Sequence, residues 1–243
     1  MPNSRTMTIV SALLMLATLL GGCASTGAVS DANDPYEPMN RAFFAFNQRL
    51  DQVVVRPVAE AYVAVVPQPA RNGFRNALSN FFLPVTFAND LLQAEIGRGA
   101  QTVARFAINS TIGVAGLFDV ADDWGIHPHT EDFGQTLAVW GVGSGPYLVL
   151  PVLGPSGLRD NVGNLTDIFL HPLLYTDLNE KAWWMVGIAT ADAIDLRSRK
   201  LNALDQIQQA SVDPYSTIRS VYRQYRDNEI RNGEPDIGDL PEF

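Results

Sequence analysis

The sequence predicts a mainly α-helical, lipid-anchored fold carrying one small glycine-rich β-like hairpin. Three observations predict it. Prolines and capping residues open successive stretches whose apolar side chains recur at helical spacing. Glycines concentrate between Gly113 and Gly145, and the single cysteine of 243 residues, Cys23, directly follows an apolar leader.

The leader comes first. Arg5 and the apolar run from Met7 to Leu20 form the n-region and h-region of an export signal. As a helix that run spans roughly 21 Å at about 1.5 Å per residue, short of a hydrocarbon core of roughly 30 Å, which disfavours a permanent transmembrane helix. Gly21 and Gly22 leave the backbone accessible to a peptidase, and the Cys23 thiol accepts a diacylglyceryl group before cleavage frees its amine for a third acyl chain. An ordinary cleaved leader with a chance cysteine is the alternative, and it leaves the small-small-Cys order unexplained. Each buried methylene contributes about 0.8 kcal/mol, so several chains make a stable tether where one is marginal. Residues 1–22 are therefore expected to be a lipoprotein signal peptide, and residues 23–33 an acylated cysteine with a flexible leash. Ala24 and Ser25 include no aspartate of the kind that retains lipoproteins at an inner membrane, which favours the outer one.

Removing the leader takes away only Arg5, leaving 16 basic residues against 26 acidic ones. That balance denies the chain the basic face that nucleic-acid binding needs, so no nucleic-acid partner is expected. The Arg197-Ser198-Arg199-Lys200 cluster is brief and follows Asp192 and Asp195. Simple electrostatic adhesion to anionic lipid is disfavoured for the same reason. Recognition of lipid would have to use apolar faces or a few placed arginines.

The folded body is expected at residues 34–231, followed by an acidic disordered tail at 232–243. Asp34-Pro35-Tyr36-Glu37 offers an N-cap, a proline at the first helical position and a glutamate at N3. Met39, Phe43, Phe46 and Leu50 follow at helical spacing, with Phe44 widening the face. Pro57 and Pro67 bracket a short helical run, and Pro69 opens another with Phe74, Leu78 and Phe81 on one side. A separate apolar stretch follows Pro84 as far as Leu92. From Gly99 a helix carries Val103, Phe106 and Ala107 until Gly113. Two β-prone runs, Thr136–Trp140 and Tyr147–Leu150, are joined by Gly141-Val142-Gly143-Ser144-Gly145-Pro146, which predicts a hairpin with a pliable tip. Helical spacing resumes with Leu158, Val162, Leu165 and Phe169. Asp177 with Glu180 is expected to cap one long helix reaching about Gln209, and Asp213-Pro214-Tyr215 opens the last helix, with Ile218, Tyr222 and Tyr225 on its stripe.

Enzymatic chemistry finds little support in these residues. A zinc set could be drawn from His127, His129 and Glu131, but Pro128 and the loop context fix no ligand geometry, so no metal and no cofactor is expected. A Gly-x-Ser-x-Gly elbow fails at Ser144, which has Val142 two residues before it, and at Ser156, which has Leu158 two residues after it. The Gly141-x-Gly143-x-Gly145 run leads into a proline and an extended apolar segment, where a phosphate loop would lead into a helix. Asp122-Asp123 and Asp192 with Asp195 sit in charged stretches unsuited to a glycosidase pair. The chain is expected not to be an enzyme, with no catalytic residue.

An ordered string of motifs spans residues 34–231. It runs Asp34-Pro35-x-Glu37-x-x-Asn40-Arg41, Phe46-Asn47, Arg56-Pro57-Val58-Ala59, Val66-Pro67-x-Pro69-x-Arg71-x-Gly73 and Asn109-x-Thr111-Ile112-Gly113. It continues with Phe118-Asp119-Val120-Ala121, Asp132-Phe133-Gly134-Gln135-Thr136-Leu137, Gly141-Val142-Gly143-x-Gly145-Pro146-Tyr147, Leu150-Pro151, Leu158-Arg159-Asp160 and Asp213-Pro214-Tyr215. In this order the motifs resemble the MlaA/VacJ family of outer-membrane lipoproteins. The resemblance implies a ring-like arrangement of amphipathic helices in the inner leaflet of the outer membrane, around an amphipathic passage for phospholipids. It implies retrograde transport of misplaced phospholipids to a soluble periplasmic carrier, in association with trimeric porins, maintaining lipid asymmetry. The alternative is a structural envelope lipoprotein that scaffolds porin or other complexes without moving lipid.

Under that resemblance Phe43, Phe44, Phe81, Phe82, Trp183 and Trp184 are expected to face lipid, and Gly141, Gly143 and Gly145 to form a mobile gate at the passage. Arg41, Arg71, Arg75 and Arg159 are expected to meet lipid phosphates, because a guanidinium can hold phosphate through two hydrogen bonds. Each expectation has a plainer rival: core packing for the aromatics, a simple turn for the glycines, structural ion pairs for the arginines.

Overall fold

The computed structural model describes residues 34–177 and 179–234; Cys23, the leader, the leash and residues 235–243 of the tail lie outside the described residues. Glu37–Leu50 (α1) continues through a π-helical turn at Asp51–Val55 into Arg56–Val65 (α2). Asp34 does not cap α1. It is fully buried, accepting hydrogen bonds from Asn40 Nδ2 at 2.8 Å, from Arg219 at 2.7 Å and from the Tyr215 hydroxyl. A carboxylate that can reach a guanidinium across the chain gains stronger, charge-assisted bonds than a helix terminus offers.

Gln68–Leu92 (α3) is one continuous helix, correcting the expected division at Pro84. Pro84 removes a backbone donor, yet Leu83, Val85 and Thr86 beside it are all buried, and packing on both sides of the proline outweighs its cost. A reversal at Gln93–Glu95, with Ala94 at φ 62°, leads into Ile96–Thr111 (α4), which lies against α3. There Gly99 gives room for Phe87, Asp90 and Leu91. Val120–Asp123 (α5) follows, capped by Asp119.

The hairpin is displaced from its expected position. Phe133–Val139 (α6) is a helix whose N-cap Asp132 accepts from the Gln135 amide, so the run expected as a first strand is helical. Asp132-x-x-Gln135 is itself a capping-box pattern, and its local hydrogen bond outweighs the β-prone Thr136–Trp140 composition. The two strands are Tyr147–Leu150 (β1) and Gly154–Gly157 (β2), antiparallel, with Tyr147 opposite Gly157 and Leu150 opposite Gly154. The Gly141–Pro146 segment is thus the link from α6 to β1, and the tip is Pro151-Val152-Leu153.

Helix α1 completes this hairpin with side chains. Asn40 accepts from Val149 N at 2.8 Å and donates to Tyr147 O at 3.0 Å. Two turns further on, Asn47 accepts from Val152 N at 2.7 Å and donates to Leu150 O at 2.8 Å. Two amides spaced seven residues apart therefore play the part of a third strand, satisfying an edge that otherwise carries unpaired backbone groups.

Leu158–Leu170 (α7) follows β2, then a 3-10 turn at Pro172–Tyr175. The helix expected from Asp177 to Gln209 is two, Lys181–Arg199 (α8) and Leu201–Ala210 (α9), divided at Lys200. Glu180 precedes α8 in the left-handed region at φ 58° and makes no side-chain cap, so the expected Asp177–Glu180 box does not form. Pro214–Ile230 (α10) starts as expected, with Asp213 accepting from the amides of Tyr215 and Ser216. No helix among the described residues is long and apolar enough to cross a membrane.

Candidate functional site

Polarity in this fold is inverted. Among the described residues twenty polar or charged side chains are buried against eight hydrophobic ones, and the small apolar cluster is Tyr147, Val149 and Tyr215. All four tryptophans, Trp124, Trp140, Trp183 and Trp184, are between 53% and 73% exposed. In a protein surrounded by water, tryptophan is highly buried on average and charged residues are almost never fully buried unless paired.

Many of these buried groups are paired in networks. At the end of α3, Asn89 and Asp90 turn inward together with Gln93 of the reversal that follows. Thr102 Oγ1 of α4 donates to Asp90 Oδ2 at 2.6 Å, and His129 Nε2 lies 3.0 Å from Asp90 Oδ1. Gln93 Nε2 and Arg98 Nη2 donate to the two oxygens of Glu131 at 2.9 and 2.7 Å. Thr136 of α6 donates to Asn89 Oδ1 at 2.8 Å, and Asn89 Nδ2 donates to Asp167 of α7 at 3.1 Å. Burial holds the Glu131 and Asp167 carboxyls above their ordinary range despite these partners. The residues first weighed as zinc ligands are engaged differently: His129 with Asp90, Glu131 with Arg98, and His127 with Asp122 at 2.9 Å.

A second network joins α6, α7 and α10. Arg226 donates to both oxygens of Asp132, at 2.7 and 2.9 Å, and to Asp160 Oδ1 at 3.1 Å. Burial alone would raise the Asp132 pKa, but hydrogen bonds and charge from Arg226 outweigh it and hold the carboxyl below its usual value. The helices meet at glycines: a Cβ on Gly163 of α7 would stand 2.2 Å from the Gly134 nitrogen of α6. A third network surrounds Asp195 of α8, 1% exposed, which takes Arg75 at 3.2 Å and Arg199 at 3.1 Å, while Arg197 binds Asp51 at 2.7 and 2.9 Å. Such interiors do not add much stability over an apolar core, since each desolvated charge costs nearly what its partner returns.

The arginines expected to meet phosphate divide. Arg41 binds Asp213 at 2.7 Å and Glu37 at 2.7 Å, Arg75 binds Asp195, and Arg159 binds Asp160 at 3.1 Å. Arg71 makes no ion pair among the described residues, and its Nε is buried without a hydrogen-bond partner. The aromatics divide as well. Phe43 and Phe44 pack against the Tyr147–Val149–Tyr215 cluster, because α1 turns them toward the hairpin it completes. Both remain half-buried there. Phe81 and Phe82 are half-buried against His171, whereas Trp183 and Trp184 stand outward. On α7, Leu158, Val162, Leu165 and Phe169 are all exposed along one face.

The three gate glycines differ in freedom. Gly145, at φ 66°, is held close to Leu158, and the flanking carbonyls of Ser144 and Pro146 accept from Arg159 N and Leu158 N at 3.2 Å each. Gly141 and Gly143 face open space. The link is therefore held to α7 through the backbone at Ser144 and Pro146 and, more loosely, by Arg159 Nη1 donating to the Val142 carbonyl at 3.4 Å.

The described residues thus bury paired charges and expose all four tryptophans. The chain matches the family described as MlaA lipoprotein over residues 32–229, and it belongs to that family. It is 39% identical over 233 residues to the Intermembrane phospholipid transport system lipoprotein MlaA of Escherichia coli K12, covering 93% of this chain and 90% of that one. To the protein of the same name from Haemophilus influenzae it is 32% identical, covering 95% and 93%. A solved chain from work on the structural basis for maintenance of bacterial outer membrane lipid asymmetry superposes with a TM-score of 0.73 at 35% identity, covering 81% of this chain and 98% of that chain.

Proposed function

We propose that this chain is an outer-membrane lipoprotein of phospholipid transport, seated in the inner leaflet, that gives lipid headgroups a polar route while their tails stay in hydrocarbon. The observation that carries this reading is the inverted burial: charged and amide side chains inside, tryptophans and aliphatic helix faces outside. A headgroup resists hydrocarbon because its charges lose hydration, and fixed protein dipoles and guanidinium groups replace that hydration without covalent chemistry. The named relatives in Escherichia coli and Haemophilus influenzae are transport lipoproteins, which supports a non-enzymatic role. In this reading phospholipid misplaced in the outer leaflet passes inward to a periplasmic carrier, trimeric porins hold the protein in place, and the link at Gly141 and Gly143 gates the route.

The test removes the gene and measures outer-leaflet phospholipid. Accumulation that disappears on complementation supports transport. An unchanged leaflet contradicts it and leaves a scaffold that holds envelope complexes without moving lipid.

A further inference from the structure

Arginines with spare donors gather where α8 packs against α2 and α3. Arg71 and Arg75 stand one turn apart on α3, a spacing that puts both on one helix face. Arg75 reaches Asp195 of α8 through Nε at 3.2 Å, and Arg199 reaches the same carboxylate oxygen through Nε at 3.1 Å. The Tyr62 hydroxyl of α2 donates to the other oxygen at 3.4 Å. Burial, followed by the Asp195 charge, holds the Tyr62 pKa above its ordinary value. Both Arg71 and Arg75 oppose that rise, which places the two guanidinium groups near this hydroxyl.

Arg71 is the member without an acceptor. It makes no hydrogen bond or ion pair among the described residues, and of its side-chain nitrogens only Nε is enclosed. The enclosed Nε holds the guanidinium in place and leaves both terminal nitrogens accessible, the end of the fork that takes two oxygens of one phosphate. Arg75 and Arg199 use Nε on Asp195 and have no partner for their terminal nitrogens among the described residues, with side chains 29% and 40% exposed.

Asp195 is 1% exposed with both oxygens engaged, and Asp192, one turn earlier on α8, is the other carboxylate in the field of Arg199. Arg197 is taken separately by Asp51 and Asp205. Arg71, Arg75 and Arg199 against Asp195 and Asp192 leave one positive charge, the complement of a single phosphodiester. Like charges one turn apart repel, and an anion shared by Arg71 and Arg75 removes that repulsion. Val65, one turn beyond Tyr62 on α2, is 78% exposed and sets apolar surface beside the cations.

We propose that the terminal nitrogens of Arg71, Arg75 and Arg199 form a binding site for one phosphate group at this junction. Assigning that phosphate to a phospholipid headgroup rests on the transport reading above, and inorganic phosphate offers the same chemistry from a second source.

The experiment uses the full-length acylated protein in detergent micelles, with protein-free micelles as the baseline. Calorimetry compares dihexanoyl-phosphatidylglycerol, dihexanoylglycerol and inorganic phosphate on the native protein, on Arg71→Gln and Arg199→Gln, and on Arg49→Gln, which removes the same charge from an exposed position of α1. The native protein should bind the phosphatidylglycerol and not the dihexanoylglycerol. Arg71→Gln and Arg199→Gln should each bind about tenfold more weakly, as for loss of one charge-assisted contact, with Arg49→Gln native. Arg71→Gln breaks no pair, so it melts as the native protein does and its lost affinity reports the site, not the fold. Native affinity in either site variant, an equal loss in Arg49→Gln, or equal binding of dihexanoylglycerol overturns the site. Inorganic phosphate binding as tightly as the lipid, and weakened alike by Arg71→Gln, supports the phosphate site and overturns its assignment to a headgroup. Deleting the gene separates the two readings. If Arg71→Gln binds normally while the native gene clears outer-leaflet phospholipid, the site fails and transport stands; if Arg71→Gln loses binding while deletion leaves the leaflet unchanged, transport fails and the site stands.

Discussion

Arg226 shows most clearly how single residues are balanced in this interior. It faces Asp132, Asp160 and Glu229 at once, and it keeps the Asp132 pKa below the ordinary 3.8 against a burial that would raise it. A carboxyl with a depressed folded pKa contributes stability above its unfolded pKa and loses it as pH falls through the folded value. The Asp132 contribution should therefore be constant from pH 7 to 5 and be lost below about pH 4, whereas Glu131 and Asp167, whose folded pKa values are raised, add stability as pH falls toward those values. Arg226→Met leaves half-buried Asp132 and buried Asp160 without this cation, at a cost of about 3 kcal/mol, the low end for breaking a buried pair. Its Asp132 pKa then rises, and mild acid relieves the buried charge. Thermal melts in detergent at pH 7, 5 and 4 should show this variant gaining stability toward pH 5; a curve parallel to the native one contradicts the assignment. Arg71 is the other informative residue, with its Nε buried and no partner. Arg71→Gln should slow clearance of outer-leaflet phospholipid severalfold without changing the melting temperature, whereas Arg41→Gln should lower the melting temperature by breaking the Asp213 pair. Equal clearance in native and Arg71→Gln cells would end its role as a phosphate contact.

Elements meet here through small residues and amides in place of greasy surfaces. The α6–α7 crossing depends on Gly163 and Gly134, where an added methyl has backbone within 2.2 Å. Gly163→Ala should cost about 1–3 kcal/mol by overpacking, read as a lowered melting temperature, and no loss would mean the helices do not approach so closely. The link between α6 and β1 is tied at Ser144 and Pro146 but open at Gly143, so Gly143→Pro should stiffen it, abolishing lipid clearance while leaving expression and localisation intact. Retained clearance would end the gate. Most helices were legible in the sequence from periodicity and proline, α7 and α10 nearly to the residue. The hairpin was misplaced because β-prone composition at Thr136–Trp140 hid the Asp132-x-x-Gln135 cap, and the bridging of β1 by Asn40 and Asn47 left no local sign, since those partners lie 103 to 109 residues apart.

At the scale of the whole molecule, amphipathic spacing said which residues share a helix face but not which face turns inward. Periodicity is symmetric in that respect. Leu158, Val162, Leu165 and Phe169 read equally well as a core stripe, and only the structure shows them all exposed with Arg159 and Asp160 buried behind them. The ordered motifs carry the polar positions Asn40, Asn109, Gln135 and Asp160, all of which the structure buries. The proposed seat in one leaflet requires no helix that spans, and none among the described residues is long and apolar enough to do so.

The central claim is that the tryptophan-bearing outside of this fold lies in hydrocarbon. Tryptophan emission of the purified protein in lipid nanodiscs tests it most directly, with brominated acyl chains as the quencher from the membrane side and iodide as the quencher from water. Blue-shifted emission, strongly quenched by brominated lipid and largely shielded from iodide, is the predicted result, with the loss concentrated in Trp183 and Trp184 when each is replaced by phenylalanine. Emission characteristic of water, quenched by iodide and indifferent to brominated chains, would contradict the account.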